Sequence, residues 1–186
     1  KLSFKIKNKD KYYFIPAIKE KEFKKRFSKN ISKKFVLIHL DEKWNDIKNI
    51  EAELFENLFK FQRSIKMNLI ITAKDNRYMY FKKLKYSLNR RKNSKITLLN
   101  NINLDVLERL INYSAYSISC HSGFLVQIAG CNKTKIIDII NKKDLMWYSC
   151  WKPLNTKHKF VFKSNYKQKL NIKKIFNDIV KISKNF

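Results

Sequence analysis

Glycine and proline are nearly missing from this 186-residue chain, with two of each. Special turns are therefore few, and Gly123 and Gly130 carry more weight than glycines in an ordinary sequence. Neither GxGxxG nor GxxxxGKS occurs, which removes the dinucleotide fingerprint and the P-loop. Cysteine is sparse and odd in number (Cys120, Cys131, Cys150), without a CxxC pair. Two of the three lie in apolar contexts, where a free thiol acts as a small hydrophobe, and this points to a reducing compartment. Cys120, Cys131, Cys150, His121 and His158 have unsuitable spacing for zinc, so no metal is expected. No Ser-His-Asp order or carboxylate pair stands out, and no catalytic residue is assigned. No apolar run reaches roughly 18 residues and the N-terminus lacks a hydrophobic signal region, so the expectation is a cytoplasmic protein without a membrane span.

What is abundant is lysine. The net charge is +27, yet only 6 of the 42 basic residues are Arg. Lys, Asn and Ile make up 79 of the 186 residues, and their codons are AT-rich. Two thirds of the excess charge lies in the flanks, residues 1–34 and 155–186. Composition bias and solvated lysine faces account for most of it. Specific recognition of bases or phosphates usually recruits Arg for its two-pronged fork, so nucleic acid is not the expected partner. The excess would still attract other anions, an acidic membrane surface included.

With 44% hydrophobic and 14% aromatic residues, the length is that of one domain with a full core. Residues 1–34 read as a connecting segment, with a short helix over 20–27, and residues 35–186 as the domain. There, strand-length apolar runs at 35–40, 68–72, 95–99, 116–120 and 134–140 alternate with helical spacing over 47–65, 76–88, 104–113, 124–130 and 170–182. A loop holding Trp147 and Trp151 precedes an edge strand at 160–162. Continuous apolar strands alternating with helices predict a doubly wound, parallel α/β sheet of five to six strands, Rossmann-like. Ligands in such sheets sit beyond the carboxyl ends of the strands. That nominates the turns at 41–44, 73–75, 100–103 and 121–123.

The last of these turns is the most informative. An apolar strand stops at His121-Ser122-Gly123, and Phe124, Leu125, Ile128 and Ala129 follow at helical spacing. Ser122 is suited to cap the helix and Gly123 leaves the backbone unobstructed. The first N–H groups of a helix have no internal partners and carry the positive end of its dipole, a ready site for phosphate. His121 is expected beside it as donor or cation. Lys43, after the first strand, would neutralise phosphate charge, while Trp44 either walls the pocket or packs against the helix behind it. Asp75 either accepts ribose hydroxyls or caps the next helix, and Asn100 to Ile102 would line a base pocket. Trp147, Tyr148, Trp151 and His158 form an aromatic cluster, either a packed surface loop or a stacking wall. The expectation is a nucleotide-binding domain.

With these turns in place, FVLIHLDEKW (35–44), NLIITAKD (68–75), the stretch 96–130 and TKIIDII (134–140) together resemble the C-terminal half of glycosyltransferase family nine, the lipopolysaccharide heptosyltransferase-like proteins of GT-B fold. Lys43-Trp44 matches that family's phosphate-facing Lys followed by Trp, and Ser122-Gly123 matches its diphosphate-binding Ser/Thr-Gly. His121 stands where the family has Asp, and Val126 where it has His. The resemblance implies a domain binding a nucleotide-diphosphate sugar, its substrate rather than a cofactor, through Lys43, Trp44, Asp75, Asn100, Ile102, His121, Ser122, Gly123 and Phe124. It implies sugar transfer to a glycan or lipid-linked acceptor in lipopolysaccharide-type biosynthesis. The acceptor and catalytic base would come from an N-terminal domain outside this sequence. A second reading is a non-enzymatic basic α/β module that binds nucleic acid or an anionic membrane through its lysine-rich flanks.

Overall fold

A computed structural model of the chain describes residues 18–73, 78–91, 95–132, 134–150, 152–153, 156–165 and 168–186. Among these, six strands form one sheet: β1 (Phe35–Leu40), β2 (Asn68–Ala73), β3 (Ile96–Asn100), β4 (Tyr116–Ser119), β5 (Lys135–Asn141) and β6 (His158–Ser164). Every pairing is parallel, in the order β3-β2-β1-β4-β5-β6. The chain thus winds outward from β1 to β3, returns, and winds the other way through β4. The switch falls between β1 and β4, whose register pairs Val36 with Tyr116 and His39 with Ser119.

The strands are β because they are short, apolar and rich in branched side chains, and all six residues of β1 are buried. Alternation sends successive residues to opposite faces, so one sheet serves two cores. Val36 and Ile38 meet Leu54, Leu58 and Phe61 of α2 (Ile50–Ile65), Tyr80 and Leu84 of α3 (Met79–Arg91) and Ile175, Phe176 and Ile179 of α7 (Ile172–Ser183). Phe35 and Leu37 meet Leu107, Leu110 and Ile111 of α4 (Leu104–Tyr113) and Leu125 and Ile128 of α5 (Gly123–Cys131). The same second core takes Phe23 and Phe27 of α1 (Glu20–Ile31). α1 lies within the stretch expected to be a connection, and it is a packed element of the domain: Phe23 is fully buried and stacks on Tyr113.

Other expectations shift for local reasons. The helix expected from residue 47 begins at Ile50. The Asp41 carboxylate caps a 3₁₀ turn at Glu42–Asp46, and Asn49 adopts the left-handed conformation at φ 63°. The expected edge strand is longer, His158–Ser164, and pairs with β5 at every residue but Lys163. The loop after β5 holds a helix, α6 (Leu145–Cys150), which carries Trp147. Trp151 and Asp75 lie outside the described residues.

Between Ile140 and Asn141 the register with β6 slips by one, and Lys163 is the residue skipped. A bulge of this kind re-aims one side chain, here that of Lys163, which is buried at the carboxyl end of the sheet.

Near its end, α5 passes close to the chain at Pro153. Alanine normally gains about 1 kcal/mol over glycine inside a helix. A Cβ on Gly130 would lie 2.5 Å from both Cβ and Cγ of Pro153. A rigid ring must then move, at a cost of about 1–3 kcal/mol. Gly130→Ala is therefore expected to lower the midpoint in thermal unfolding, and a raised midpoint would show that Pro153 gives way freely.

Candidate functional site

The switch point lies where the carboxyl ends of β1 and β4 diverge, the place where open α/β sheets bind ligands. The Lys43 ammonium donates a 2.7 Å hydrogen bond to the backbone carbonyl of His121, 78 residues away in sequence. The two nominated turns therefore meet. Lys43 itself is held from below: Lys163 donates to its carbonyl at 2.9 Å and to the Asp46 carboxylate at 3.1 Å. The hydrogen bond from Lys163 holds the Asp46 carboxyl below the usual carboxylate range.

α5 opens directly on this junction. Its N-cap is Ser122, but the hydroxyl makes no capping bond, contrary to expectation, and its first turn carries no acidic residue. The Ser122 N–H donates to the Ser119 hydroxyl at 3.3 Å. The N–H groups of Gly123, Phe124 and Leu125 come next in the helix's first turn, where no earlier carbonyl of the helix can reach them. Gly123 is exposed, and a Cβ built there meets nothing within 4 Å. An open, positively polarised helix end thus sits beside a lysine ammonium. That combination can take an anion.

His121 is more constrained than the sequence foretold. Its backbone is left-handed, φ 50°, a region in which His is found more often than most residues with a β-carbon. The Nδ1 atom lies 2.5 Å from Oδ2 of Asp138, and the ring packs on Tyr148 of α6 with centroids 3.6 Å apart. Asp138 sits in mid-β5 and is fully buried. The same Oδ2 lies 3.3 Å from Nε2 of His158 at the start of β6. Burial works to raise the Asp138 carboxyl, but bonds from His121 and His158 hold it below its ordinary value on balance. Asp138 Oδ1 and His158 Nδ1 have no hydrogen-bond partner among the described residues.

The remaining nominated residues divide. Trp44 does not wall a pocket: it is fully buried, and its indole N–H donates to the His39 carbonyl at 3.0 Å. Asn100 ends β3, two strands or roughly 10 Å from β1 across the sheet. Its side-chain oxygen is buried and without a partner among the described residues. Ile102 packs on the second core. Of the aromatic cluster, Tyr148 and His158 join the site through His121 and Asp138, while Trp147 is exposed on α6. Asp138, Lys163 and Asp41 were not singled out as ligand contacts from sequence. A charged residue inside the apolar run TKIIDII was the one available signal for Asp138.

Neither a family model nor a curated protein matches the chain. Solved structures do. ADP-heptose lipopolysaccharide heptosyltransferase II of E. coli superposes with a TM-score of 0.60 at 10% identity, over 90% of this chain and 51% of that one. The UDP-GlcNAc 2-epimerase of Methanocaldococcus jannaschii, crystallised with UDP-GlcNAc and UDP, gives 0.53 at 17% identity, over 90% of this chain and 49% of that one. At such identities the likeness concerns the fold: a Rossmann-like α/β domain of the GT-B kind. The chain spans about half the length of each of these proteins.

Asp41, at the end of β1, provides a test of how enclosed this corner is. Burial pushes its carboxyl up to about 6; Lys43 opposes the rise and Glu42 adds to it. A raised acid favours the folded state fully below its ordinary value near 4, and that contribution is lost as pH climbs through 6. Asp41→Asn keeps an acceptor for the Lys43 N–H, now 3.1 Å from Oδ1. The variant should match wild type in denaturant unfolding near pH 4 and exceed it above pH 6.5 by about 1–3 kcal/mol. A variant weaker than wild type at pH 7.5 would show that the carboxylate is satisfied there.

Proposed function

We propose that this chain is the nucleotide-sugar-binding domain of a GT-B glycosyltransferase, of the type represented by glycosyltransferase family nine. The donor's diphosphate rests on the N-terminus of α5, between Lys43 and His121. The single observation that supports this most is the Lys43–His121 hydrogen bond at the switch point, beside an uncapped helix end. The site's chemistry supports this substrate class, as do the fold neighbours, one named for ADP-heptose and one crystallised with UDP-GlcNAc and UDP.

An ammonium has three donors, so Lys43 holds the His121 carbonyl with one and keeps others for phosphate oxygens. As the bond from the sugar's anomeric carbon to the diphosphate breaks, negative charge grows on the departing oxygen. Lys43 and the N–H groups of Gly123 and Phe124 lie ready to stabilise it without reorganising, which is where electrostatic catalysis gains most. Asp75 and the backbone near Asn100 and Ile102 are assigned the ribose and base. The acceptor is a glycan or a lipid-linked glycan, and the lysine-rich surface would favour an anionic setting for it.

The decisive variant is Gly123→Val. Helical Cβ atoms tilt toward the N-terminus, so the new side chain enters the proposed cradle, and its Cβ meets no protein atom within 4 Å. In calorimetry with ADP-, UDP- and GDP-sugars, Gly123→Val and Lys43→Ala should each weaken the best ligand by about tenfold or more, ~1.4 kcal/mol. The unfolding midpoint of Gly123→Val should stay within about 2 °C of wild type. Equal binding by wild type and the double variant rules the site out.

A further inference from the structure

Two imidazoles, one following β4 and one opening β6, converge on one buried carboxylate oxygen of mid-β5. Asp138 Oδ2 lies 2.5 Å from His121 Nδ1 and 3.3 Å from His158 Nε2, with Asp138 fully buried and the His158 side chain 2% exposed. A buried carboxylate needs partners, and here both are imidazoles. Their consequence for His121 is geometric. Asp138 occupies Nδ1, Tyr148 covers one face of the ring, and the Lys43 ammonium holds the residue's own carbonyl. The left-handed backbone at this position is kept against its intrinsic cost by these same contacts, the kind of constraint that collects at working sites. Nε2 is the remaining polar atom of a ring that is still 16% exposed, on the residue that leads into Ser122 and α5.

A metal centre is the competing use of two histidines and an aspartate. Among the described residues no such group is arranged to hold an ion. Both imidazole nitrogens point at the carboxylate oxygen itself, at hydrogen-bonding distance, so these atoms satisfy one another.

We infer that His121 Nε2 is a ligand for the terminal phosphate of a nucleoside diphosphate, and that Asp138, steadied by His158, is a positioning residue which locks the His121 ring for that contact. This rests on the reading of α5 as the diphosphate site and adds to it a second, sequence-distant layer. A neutral His121 ring carries its proton on Nδ1, facing Asp138, and offers a lone pair at Nε2. With both ring nitrogens carrying hydrogen, the Nε2–H donates toward phosphate without moving the ring.

The test is nitrogen-15 NMR of the imidazoles in the full chain, with ADP, UDP and GDP added separately, alongside calorimetry. In wild type, His121 should show the Nδ1-protonated form before ligand is added, and its Nε2 resonance should move on binding. Asp138→Asn, which keeps the shape of the side chain, should lose that tautomer preference and bind the better nucleotide about tenfold more weakly. His121→Ala should show a similar loss, the double variant no more than either alone, and His121→Gln a partial recovery through its amide donor. Should Asp138→Asn fail to fold, the His121 pair of variants carries the test. Unchanged binding in His121→Ala, with Nε2 stationary in wild type, overturns this inference and leaves the role of Lys43 and Gly123 intact. Stoichiometric zinc capture by His121 and His158 also overturns it. Absence of ADP, UDP and GDP binding to wild type overturns both readings together.

Discussion

Two lysine ammoniums hydrogen-bonded to two backbone carbonyls hold the working end of this sheet together. Lys163 reaches from β6 to the carbonyl of Lys43, and Lys43 reaches on to the carbonyl of His121. Each bond adds a tie from a strand-end turn to a sequence-distant element, so the loops after β1 and β4 are positioned relative to each other and to β6. A parallel sheet with both faces covered leaves only its ends open, and every group that can meet a ligand must come from such turns. The register slip at Lys163 matters for the same reason. It turns a lysine that would have lined an edge strand into a buried brace, whose charge is shared with Asp46.

The same corner concentrates buried charge: three of the buried charged side chains among the described residues meet here. Asp41 just past β1, Asp138 in mid-β5 and Lys163 near the end of β6 are all buried. Asp138 is matched by His121 and His158, and Lys163 by Asp46, whereas Asp41 is left with a backbone N–H and a carboxyl that burial makes a weaker acid. Tyr80 adds a neutral link, donating its hydroxyl to the Asp41 carbonyl at 2.6 Å. Polar groups at this density are costly in a core and are kept where geometry must be held closely. α5 presents its uncapped end to this braced corner.

Much of the fold was legible in the order of apolar runs. β1 and α4 fall on the residues their periodicity marks, and the parallel, doubly wound sheet follows from continuous burial of strands between helices. The misses have local causes. Asn49 in a left-handed conformation delays α2, and the 3₁₀ turn before it is built by the Asp41 side chain. α1 escaped notice as a packed element because two buried aromatics, Phe23 and Phe27, are set among exposed lysines. Trp44 was offered two roles by its position, and packing took it: an indole with an acceptor directly beneath, the His39 carbonyl, is held in the core.

From its own sequence, this protein determined which segments are strand and helix, and that a turn at His121-Ser122-Gly123 would open a helix at the carboxyl edge of the sheet. Those properties depend on neighbours a few residues apart, through periodicity and turn chemistry. Tertiary structure alone decided that Lys43 would meet His121, that Asp138 would lie between two histidines 17 and 20 residues away, and that Lys163 would turn inward. Strand order and register set those meetings. They arise from packing the two faces of the whole sheet at once, and no local pattern encodes them.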